Sequence, residues 1–287
     1  MTPGHTALAV LVAALWGSAF VAIHVGLETL PPLLLVALRF TLAAAPAALL
    51  PRPAIAWRRL IAVGATLFAG TFAFLFIGMA HGMPAGLASI VMQVQAFFTA
   101  AIVAVVWRER PAPPYLAGMA LAFAGLALIG ATIGGDVTAL GLLLTLAGAF
   151  SWACGNVLLK GAGPASMAAL VAWASVPAAL LTLGLSLVAE GPAAIAEGLL
   201  RTPALGWLAV LYLSLAATLV AFGLWGHLLG LYPANTVAPF SLLVPVTGAL
   251  LAALLLGERF PALRIAGMAL IVAGLAAVAV PWGRIRR

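Results

Sequence analysis

Leu116-Ala-Gly-Met-Ala-Leu-Ala-Phe-Ala-Gly-Leu-Ala-Leu-Ile129 is a stretch that this chain of 287 residues contains in two versions. The second version, Ile265-Ala-Gly-Met-Ala-Leu-Ile-Val-Ala-Gly-Leu-Ala-Ala-Val278, begins 149 residues later. Eight of the twelve positions from Gly118 to Ile129 are identical in the two copies. A long internal repeat predicts that two similar units build the fold.

The repeat extends beyond these two glycine-rich stretches. The offset of 149 residues also pairs Pro84 with Pro233 and Glu109-Arg110 with Glu258-Arg259. Farther upstream the offset falls to 136, which pairs Trp16 with Trp152. The difference of thirteen residues predicts an insertion in the second half, around residues 190–201.

The composition is that of a membrane protein. Apolar residues make up 66% of the chain, charged residues only 7%, and the mean hydropathy is +1.24. A soluble domain of this composition would have too little polar surface. No polar stretch is long enough for a separate soluble domain, and the N-terminal segment is interpreted as a retained helix rather than a signal peptide. The single cysteine, Cys154, has no internal disulfide partner and is interpreted as a small packed residue.

Proline, glycine and charged residues divide the chain into apolar runs that can each cross a bilayer as a helix. The predicted spans are 6–26, 32–50, 60–80, 84–106, 114–133, 138–159, 165–188, 204–229, 233–256 and 261–282. The connections are short, so neighbouring helices are expected to run antiparallel.

Lysine and arginine predict the orientation of these spans, because short cytoplasmic loops are enriched in both residues. With the N-terminus inside, the cytoplasmic side holds nine of them: Arg52, Arg58, Arg59, Arg108, Arg110, Lys160, Arg284, Arg286 and Arg287. The other side holds three: Arg201, Arg259 and Arg264. Both termini are therefore predicted to be cytoplasmic. The net charge of +7 is explained by these loops and does not indicate nucleic-acid binding.

Five spans in each half make the second copy enter the membrane from the opposite side. The predicted fold is an all-α integral membrane protein with ten transmembrane helices, arranged as two inverted five-helix repeats. The first repeat comprises residues 1–135 and the second comprises residues 136–287. Inverted repeats are typical of transporters, which bind their substrate near the midplane between the two repeats.

The paired tryptophans are the first candidate site residues. Trp16 and Phe20 lie four residues apart on one helical face, as do Trp152 and Asn156. A two-fold relation places these faces opposite each other, which favours an aromatic cavity. The alternative is aromatic packing or an interfacial belt, but both tryptophans lie near the middle of their spans.

Polar residues within the fourth and ninth spans are further candidates. Gln93 is favoured as a substrate contact and Gln95, which is expected to point elsewhere, as a packing residue. Ser241 lies between Pro239 and Pro245, and prolines there expose backbone carbonyls to protein or to a cavity.

Arg39 lies about 10 Å deep in the second span at 1.5 Å per residue. It can attract a substrate carboxylate, reach the surface or bind carbonyls, and the structural interpretations are favoured. Lys160, His81 and His227 fall near span ends, where solvated or interfacial roles are favoured.

The acidic residues argue against catalysis and against ion coupling through a carboxylate. All six map to loops or span ends: Glu28, Glu109, Asp136, Glu190, Glu197 and Glu258. There is no phosphate-binding Gly-Lys-Ser/Thr motif and no Gly-x-Ser-x-Gly motif, so neither ATP hydrolysis nor Ser–His hydrolysis is supported. The sequence predicts no enzyme activity, no metal site and no cofactor.

Three groups of residues resemble the EamA family of the drug/metabolite transporter superfamily. They are Leu15-Trp16-Gly17-Ser18-Ala19-Phe20, the corners Arg108-Glu109-Arg110-Pro111 and Gly257-Glu258-Arg259, and the duplicated glycine-rich helices. The resemblance covers essentially the whole chain and is greatest to the YddG-type amino-acid exporters. Two departures, Trp152-Ala153-Cys154 for Trp-Gly-Ser and Phe260 for Pro111, leave the expected fold intact.

The resemblance implies an inner-membrane exporter of small neutral metabolites, with aromatic and other neutral amino acids first. Its expected substrate-binding residues are Trp16, Phe20, Gln93, Trp152 and Asn156, and Pro84 and Pro233 are expected to gate the cavity. The expected partners are a small-molecule substrate and the lipid bilayer, and the sequence is compatible with a monomer. The alternatives are a broad exporter of apolar or cationic drugs, and a membrane enzyme or scaffold without transport activity.

Overall fold

The computed structural model describes residues 1–108, 113–160 and 166–279, and in these ranges the chain is helical without a β-strand. Glu109-Arg110, Pro111, the separator from Gly161 to Pro164 and the C-terminal arginines lie outside the described residues. The first half contains α1 (Pro3–Leu27), α2 (Pro32–Ala44), α3 (Trp57–Ala80), α4 (Ala85–Val91, Met92–Val94 and Gln95–Trp107) and α5 (Pro113–Gly130). The second half contains α6 (Ala139–Leu159), α7 (Met167–Ala189), α8 (Gly191–Arg201), α9 (Ala204–Leu231), α10 (Ala234–Val237, Ala238–Leu242 and Leu243–Leu255) and α11 (Ala262–Ala279).

Eight of the described helices are long and apolar enough to cross a membrane, namely all except α2, α8 and α11. The shorter helices α2, with its continuation to Ala48, and α11 are apolar as well. Every predicted span corresponds to one of these ten helices, and the ends differ by a few residues. The remaining helix, α8, occupies the predicted insertion and carries an exposed Glu197–Arg201 ion pair. The fold is therefore an all-helical, multi-pass membrane bundle.

Irregular turns occur at matching positions in the two halves. The wide π turns lie at Gly64–Gly70 in α3 and at Tyr212–Val220 in α9. The tight 3₁₀ turns lie at Met92–Val94 in α4 and at Ala238–Leu242 in α10. Each pair overlaps when shifted by 149 residues, so the repeat in the sequence is also a repeat of local backbone geometry. In these turns the backbone bonds join residues five or three apart rather than four, which changes the direction of the following side chains.

The two glycine-rich stretches form α5 and α11, which pack directly against each other. A Cβ atom added to Gly118 would lie 2.5 Å from the carbonyl oxygen of Gly274, and one added to Gly125 would lie 2.5 Å from that of Gly267. The contacts are reciprocal, since a Cβ atom on Gly267 would lie 2.7 Å from the Gly125 oxygen. Small residues permit this close backbone approach, which is a common way to pair membrane helices.

The connections between helices lie at two ends of the bundle. We call the end with connections 28–31, 81–84, 131–138, 190–203 and 256–261 the Glu258 end. We call the opposite end, where α4 and α6 end and where the connections 49–56 and 232–233 lie, the Lys160 end. At the Glu258 end, the Glu258 carboxylate accepts from the N–H groups of Ala85 (2.7 Å) and Gly86 (3.0 Å). Glu190 holds Leu33 (2.6 Å) and Leu34 (3.0 Å) in the same way.

Candidate functional site

A cavity of about 410 Å³ lies in the middle of the bundle, between α1, α2, α3, α4, α6, α7, α9 and α10. None of the described lining residues comes from α5 or α11. The lining reaches Leu159, Met167 and Leu229 at the Lys160 end. At the Glu258 end it stops at Ile23 and Leu75, at least four residues before the helices end. The cavity is therefore deeper toward the Lys160 end, and the Glu258 end is packed shut.

Aromatic side chains from both halves form one continuous wall. The Trp16 ring lies 5.1 Å from Phe222 and 5.3 Å from Trp225 between ring centroids. Phe222 stacks on Trp152 at 6.2 Å and an interplanar angle of 27°, and Trp152 meets Phe72 edge-on at 6.1 Å. Offset and edge-on contacts of this kind hold rings in fixed positions. The two predicted tryptophans thus belong to the same wall, with Phe222 between them.

The π turn of α9 fixes the position of Trp16. The Trp16 indole N–H donates to the carbonyl oxygen of Ala217 at 3.1 Å. In the same turn, the Tyr212 hydroxyl donates to the Leu15 carbonyl (3.0 Å) and lies 2.5 Å from the Ser18 hydroxyl. A carbonyl of the π turn therefore binds the polar edge of the half-buried Trp16 indole, and the same side chain lines the cavity.

Gln93 is held by a backbone carbonyl whose usual helical donor position is occupied by a proline. Pro245 has no N–H, so the Ser241 carbonyl four residues earlier lacks its usual helical hydrogen bond. The Gln93 amide nitrogen donates to this oxygen at 3.2 Å, which joins α4 to α10 across the cavity. Both Gln93 and Ser241 line the cavity.

Asn156 and Gln95 form a second polar group. The Asn156 amide nitrogen donates to the Gln95 side-chain oxygen at 3.0 Å and to the Thr99 hydroxyl at 3.3 Å. Gln95 therefore joins α4 to α6, as expected of a packing residue, but it also lines the cavity. The 3₁₀ turn Met92–Val94 explains this, since it winds the chain more tightly and moves Gln95 toward the side of Gln93.

Arg39 occupies a position that the sequence leaves undecided. It lines the cavity and is only 2% exposed. Its Nε donates to the Thr218 hydroxyl at 3.0 Å, and its guanidinium lies 3.9 Å from the Phe72 ring centroid. Its Nη1 is buried and has no hydrogen-bond partner in the described part of the chain.

The structure brings the five expected substrate-binding residues together and keeps the two expected gating prolines apart from them. The five that line the cavity are Trp16, Phe20, Gln93, Trp152 and Asn156. Pro84 and Pro233 instead precede the first residues of α4 and α10. Sequence reasoning missed Phe72, Phe222 and Trp225. Phe68 with Phe72, and Phe222 with Trp225, have helical spacing within apolar runs, which is a signal of the kind used for Trp16 and Phe20.

The three histidine and lysine candidates lie away from the cavity. His81 is exposed at the Glu258 end, with its Nδ1 at 2.8 Å from the Ile77 carbonyl. His227 lies on α9 near the Lys160 end, 6.0 Å from His5 between ring centroids. Lys160 immediately follows α6. None of the three is among the described residues that line the cavity.

A multi-pass helical bundle around a central cavity, reached from one end and closed at the other, is the architecture of a membrane transporter. The chain belongs to the EamA-like transporter family, whose model matches residues 5–131 and 139–280. It is a transporter of the inner membrane and not an enzyme.

Named relatives cover nearly the whole chain. A protein of Salmonella typhimurium named "Probable amino-acid metabolite efflux pump" is 48% identical over 93% of this chain and 92% of its own length. A protein of Escherichia coli K12 with the same name is 45% identical with the same coverage. A "Probable terminal-alkyne amino-acid exporter" of Streptantibioticus cattleyicolor is 29% identical over 93% of this chain and 90% of its own length.

The fold also matches a solved structure. A protein described only as "Crystal structure of protein" superposes with a TM-score of 0.66 at 23% identity, covering 100% of both chains. At this identity the likeness concerns the fold alone.

Proposed function

We propose that this protein exports small neutral metabolites, most of all aromatic and other neutral amino acids, by alternating access. The observation that supports this most strongly is the cavity, which combines an aromatic wall with the amide side chains of Gln93 and Asn156. An aromatic amino acid has one flat apolar part and one polar part, and the cavity offers a surface for each. Two relatives at 48% and 45% identity are named amino-acid metabolite efflux pumps, which supports the same substrate class and the direction.

The proposed architecture has ten transmembrane helices in two inverted repeats, residues 1–135 and 136–287, with both termini in the cytoplasm. The reciprocal glycine contacts of α5 and α11, and the matching π and 3₁₀ turns, support a two-fold relation between the repeats. In this orientation the Glu258 end is external and the cavity faces the cytoplasm. The starts of α4 and α10, after Pro84 and Pro233, are proposed to gate the two ends.

Substrate is proposed to stack on Trp16, Phe20 and Trp152, while Gln93 and Asn156 bond its polar end. The five described acids lie outside the cavity lining, and transport in this scheme needs no coupling carboxylate. A carrier of this kind runs down whichever gradient exists. The YddG-type exporters are the subgroup that this scheme resembles.

Counterflow in liposomes tests the proposal. Purified protein is reconstituted with unlabelled tryptophan inside, and transient accumulation of labelled tryptophan is followed with and without an imposed proton gradient. We expect accumulation that does not depend on the proton gradient. Trp152→Ala and Gln93→Ala should each reduce it about 3- to 10-fold, as expected for loss of one aromatic contact or one hydrogen bond.

Trp57→Ala is the matched control, because Trp57 is an exposed tryptophan that does not line the cavity, and it should retain accumulation. Absence of tryptophan exchange by folded protein would refute the aromatic substrate and favour apolar or cationic drugs. Dependence on the proton gradient would refute uncoupled transport and make His81 and His227 the groups to examine.

A further inference from the structure

Arg39 is a buried cation whose hydrogen-bonding capacity is only partly used. Of its donors, Nε reaches Thr218 at 3.0 Å, while Nη1 is buried without a partner in the described residues. One face of the guanidinium is covered by Phe72 at 3.9 Å and by Phe40 at 5.3 Å. These contacts fix the plane of the group and leave Nη1 unmatched.

A second buried arginine, Arg264, has hydrogen-bond partners for its side-chain nitrogens and serves as a comparison. Arg264 is 4% exposed, and its Nη1 and Nη2 donate to the two carboxylate oxygens of Asp136 at 2.8 and 2.6 Å. Its Nε donates to the Thr132 hydroxyl at 3.1 Å. An arginine with a purely structural role is expected to be paired in this way, because a buried charge without a partner is costly.

No acid within the described part of the chain is placed to neutralise Arg39. The five described acids are found in connections or in α8, and none is among the described residues that line the cavity: Glu28, Asp136, Glu190, Glu197 and Glu258. Four of these five have polar contacts elsewhere, to Arg264, to Arg201 or to the starts of α2 and α4. A negatively charged group on a molecule that enters the cavity would complete the environment of Arg39.

We propose that Arg39 binds the carboxylate of the substrate. A guanidinium donates two parallel N–H groups that match the two oxygens of a carboxylate. These hydrogen bonds are strongest where water is excluded. The cavity therefore takes carboxylate-bearing solutes, zwitterionic or anionic, and discriminates against the corresponding amides and esters. This rests on the proposed function and names the chemical group by which that substrate is held.

The position of Arg39 predicts how the substrate is oriented in the cavity. Phe72, whose ring centroid lies 3.9 Å from the guanidinium, meets Trp152 of the aromatic wall at 6.1 Å, so the flat part of the substrate would be held next to the carboxylate. The side-chain oxygens of Gln93 and Asn156 are the acceptors available to an ammonium group. The arrangement excludes simple cations, which would meet the positive charge of Arg39 without a counter-charge.

Ligand-induced thermal stabilisation of the purified protein in detergent tests the proposal without requiring transport. The probes are indole-3-propionate and its uncharged amide, indole-3-propionamide, which share the ring and differ in the group that Arg39 would bind. We expect the carboxylate to raise the Tm of the wild-type protein at concentrations where the amide does not. In Arg39→Gln the carboxylate should bind about 10- to 100-fold more weakly, so the preference disappears.

Two further variants separate binding from folding. Arg39→Lys keeps the positive charge but loses the two parallel N–H donors of the guanidinium. It should retain a reduced preference for the carboxylate. Arg264→Lys changes an equally buried arginine outside the cavity, so it should keep the full preference even where it lowers the Tm. Equal stabilisation of wild type by both probes, or an unchanged preference in Arg39→Gln, overturns the proposal. A carboxylate preference without tryptophan counterflow would instead retain the role of Arg39 and overturn the export of aromatic amino acids.

Discussion

The two ends of the bundle are held by different kinds of contact. At the Glu258 end, Glu258 and Glu190 each hold two backbone N–H groups at the start of a helix, and Asp136 holds Arg264. At the Lys160 end, two of the contacts use aromatic side chains instead: His5 with Tyr232 at 2.7 Å, and the Trp173 indole with the Leu50 carbonyl at 3.0 Å. The difference shows that the closed end is held by carboxylates, which can exchange protein partners for water.

Glu258 and Glu190 use the same geometry. Each carboxylate binds the N–H groups that follow a proline, where the N-terminus of a helix favours negative charge. Burial raises the pKa of the Glu258 carboxyl, although the bonds from Gly86 and Ala85 act in the opposite direction. Burying the negative charge of Glu258 therefore costs desolvation free energy, and this cost is removed when the Glu258 end opens to water. Glu109, the partner of Glu258 in the repeat, lies outside the described residues.

The largest stability effect at the Glu258 end is expected for Asp136→Asn. It removes half of a forked ion pair and leaves Arg264, whose side chain is 5% exposed, without its charged partner. Since Asp136 itself is 59% exposed, we expect a loss of about 1–3 kcal/mol, measured by thermal unfolding in detergent. Glu197→Gln is the control, because it breaks an ion pair whose side chains are 60% and 78% exposed, and it should cost less than about 0.5 kcal/mol. Equal losses in the two variants would contradict the difference in burial.

The same ion pair determines how this end responds to acid. Hydrogen bonds from Arg264 hold the pKa of Asp136 below its ordinary value of 3.8. The folded pKa is depressed, so the contribution of Asp136 is complete above the unfolded value and is lost as the pH falls through the folded value. Acid unfolding below about pH 4 should therefore be steeper in wild type than in Asp136→Asn.

A smaller loss of stability, with a larger effect on access, is expected for Glu258→Gln. Glutamine can accept one of the two N–H bonds but turns an amide donor toward the other, a change worth about 0.5–2 kcal/mol at a helix start. The readout is Ile23→Cys in a Cys154→Ala background, since Ile23 is the cavity residue of α1 nearest the Glu258 end. An impermeant thiol reagent added from the Glu258 side should label this position several-fold faster in the glutamine variant. Unchanged labelling would show that Glu258 does not keep this end closed.

Tyr232→Phe, at the Lys160 end, is expected to have the smallest effect. It removes the 2.7 Å contact with His5, which is half-buried, and a 3.3 Å bond from the Thr2 N–H, which is exposed. We expect a change below about 0.5 kcal/mol in thermal unfolding and no change in labelling of Ile23→Cys from the Glu258 side. A larger effect would mean that the two ends contribute alike to the stability of this conformation.

The helices and the main cavity residues could be predicted because their signals are local. Prolines at Pro32, Pro84 and Pro203 lie at or just before helix starts, where the missing N–H is no loss. The internal repeat pairs Trp16 with Trp152 in the sequence, which predicted that the two side chains occupy equivalent positions. Both belong to the wall, although Phe222, which lies between them, was not selected.

The directions of individual side chains could not be predicted from the sequence, because they depend on local turns of the backbone. The 3₁₀ turn before Gln95 changes which way that side chain points, and no residue type in Met92–Val94 requires such a turn. The depth of Arg39 was evident, but depth does not show whether a side chain faces lipid, a helix or a cavity. The π turn of α9, which supplies Thr218 and the Ala217 carbonyl, likewise has no signal in its apolar sequence.

The crossing of α5 and α11 has a mechanical consequence. Each of the two glycine contacts brings a backbone carbonyl against the Cα of the other helix, so there is little free volume for the helices to slide or roll. Neither helix contributes described residues to the cavity wall, so their spacing can stay constant while the wall rearranges. In the proposed alternating-access cycle, we therefore expect this pair to remain rigid and the motion to be concentrated in the eight helices that line the cavity.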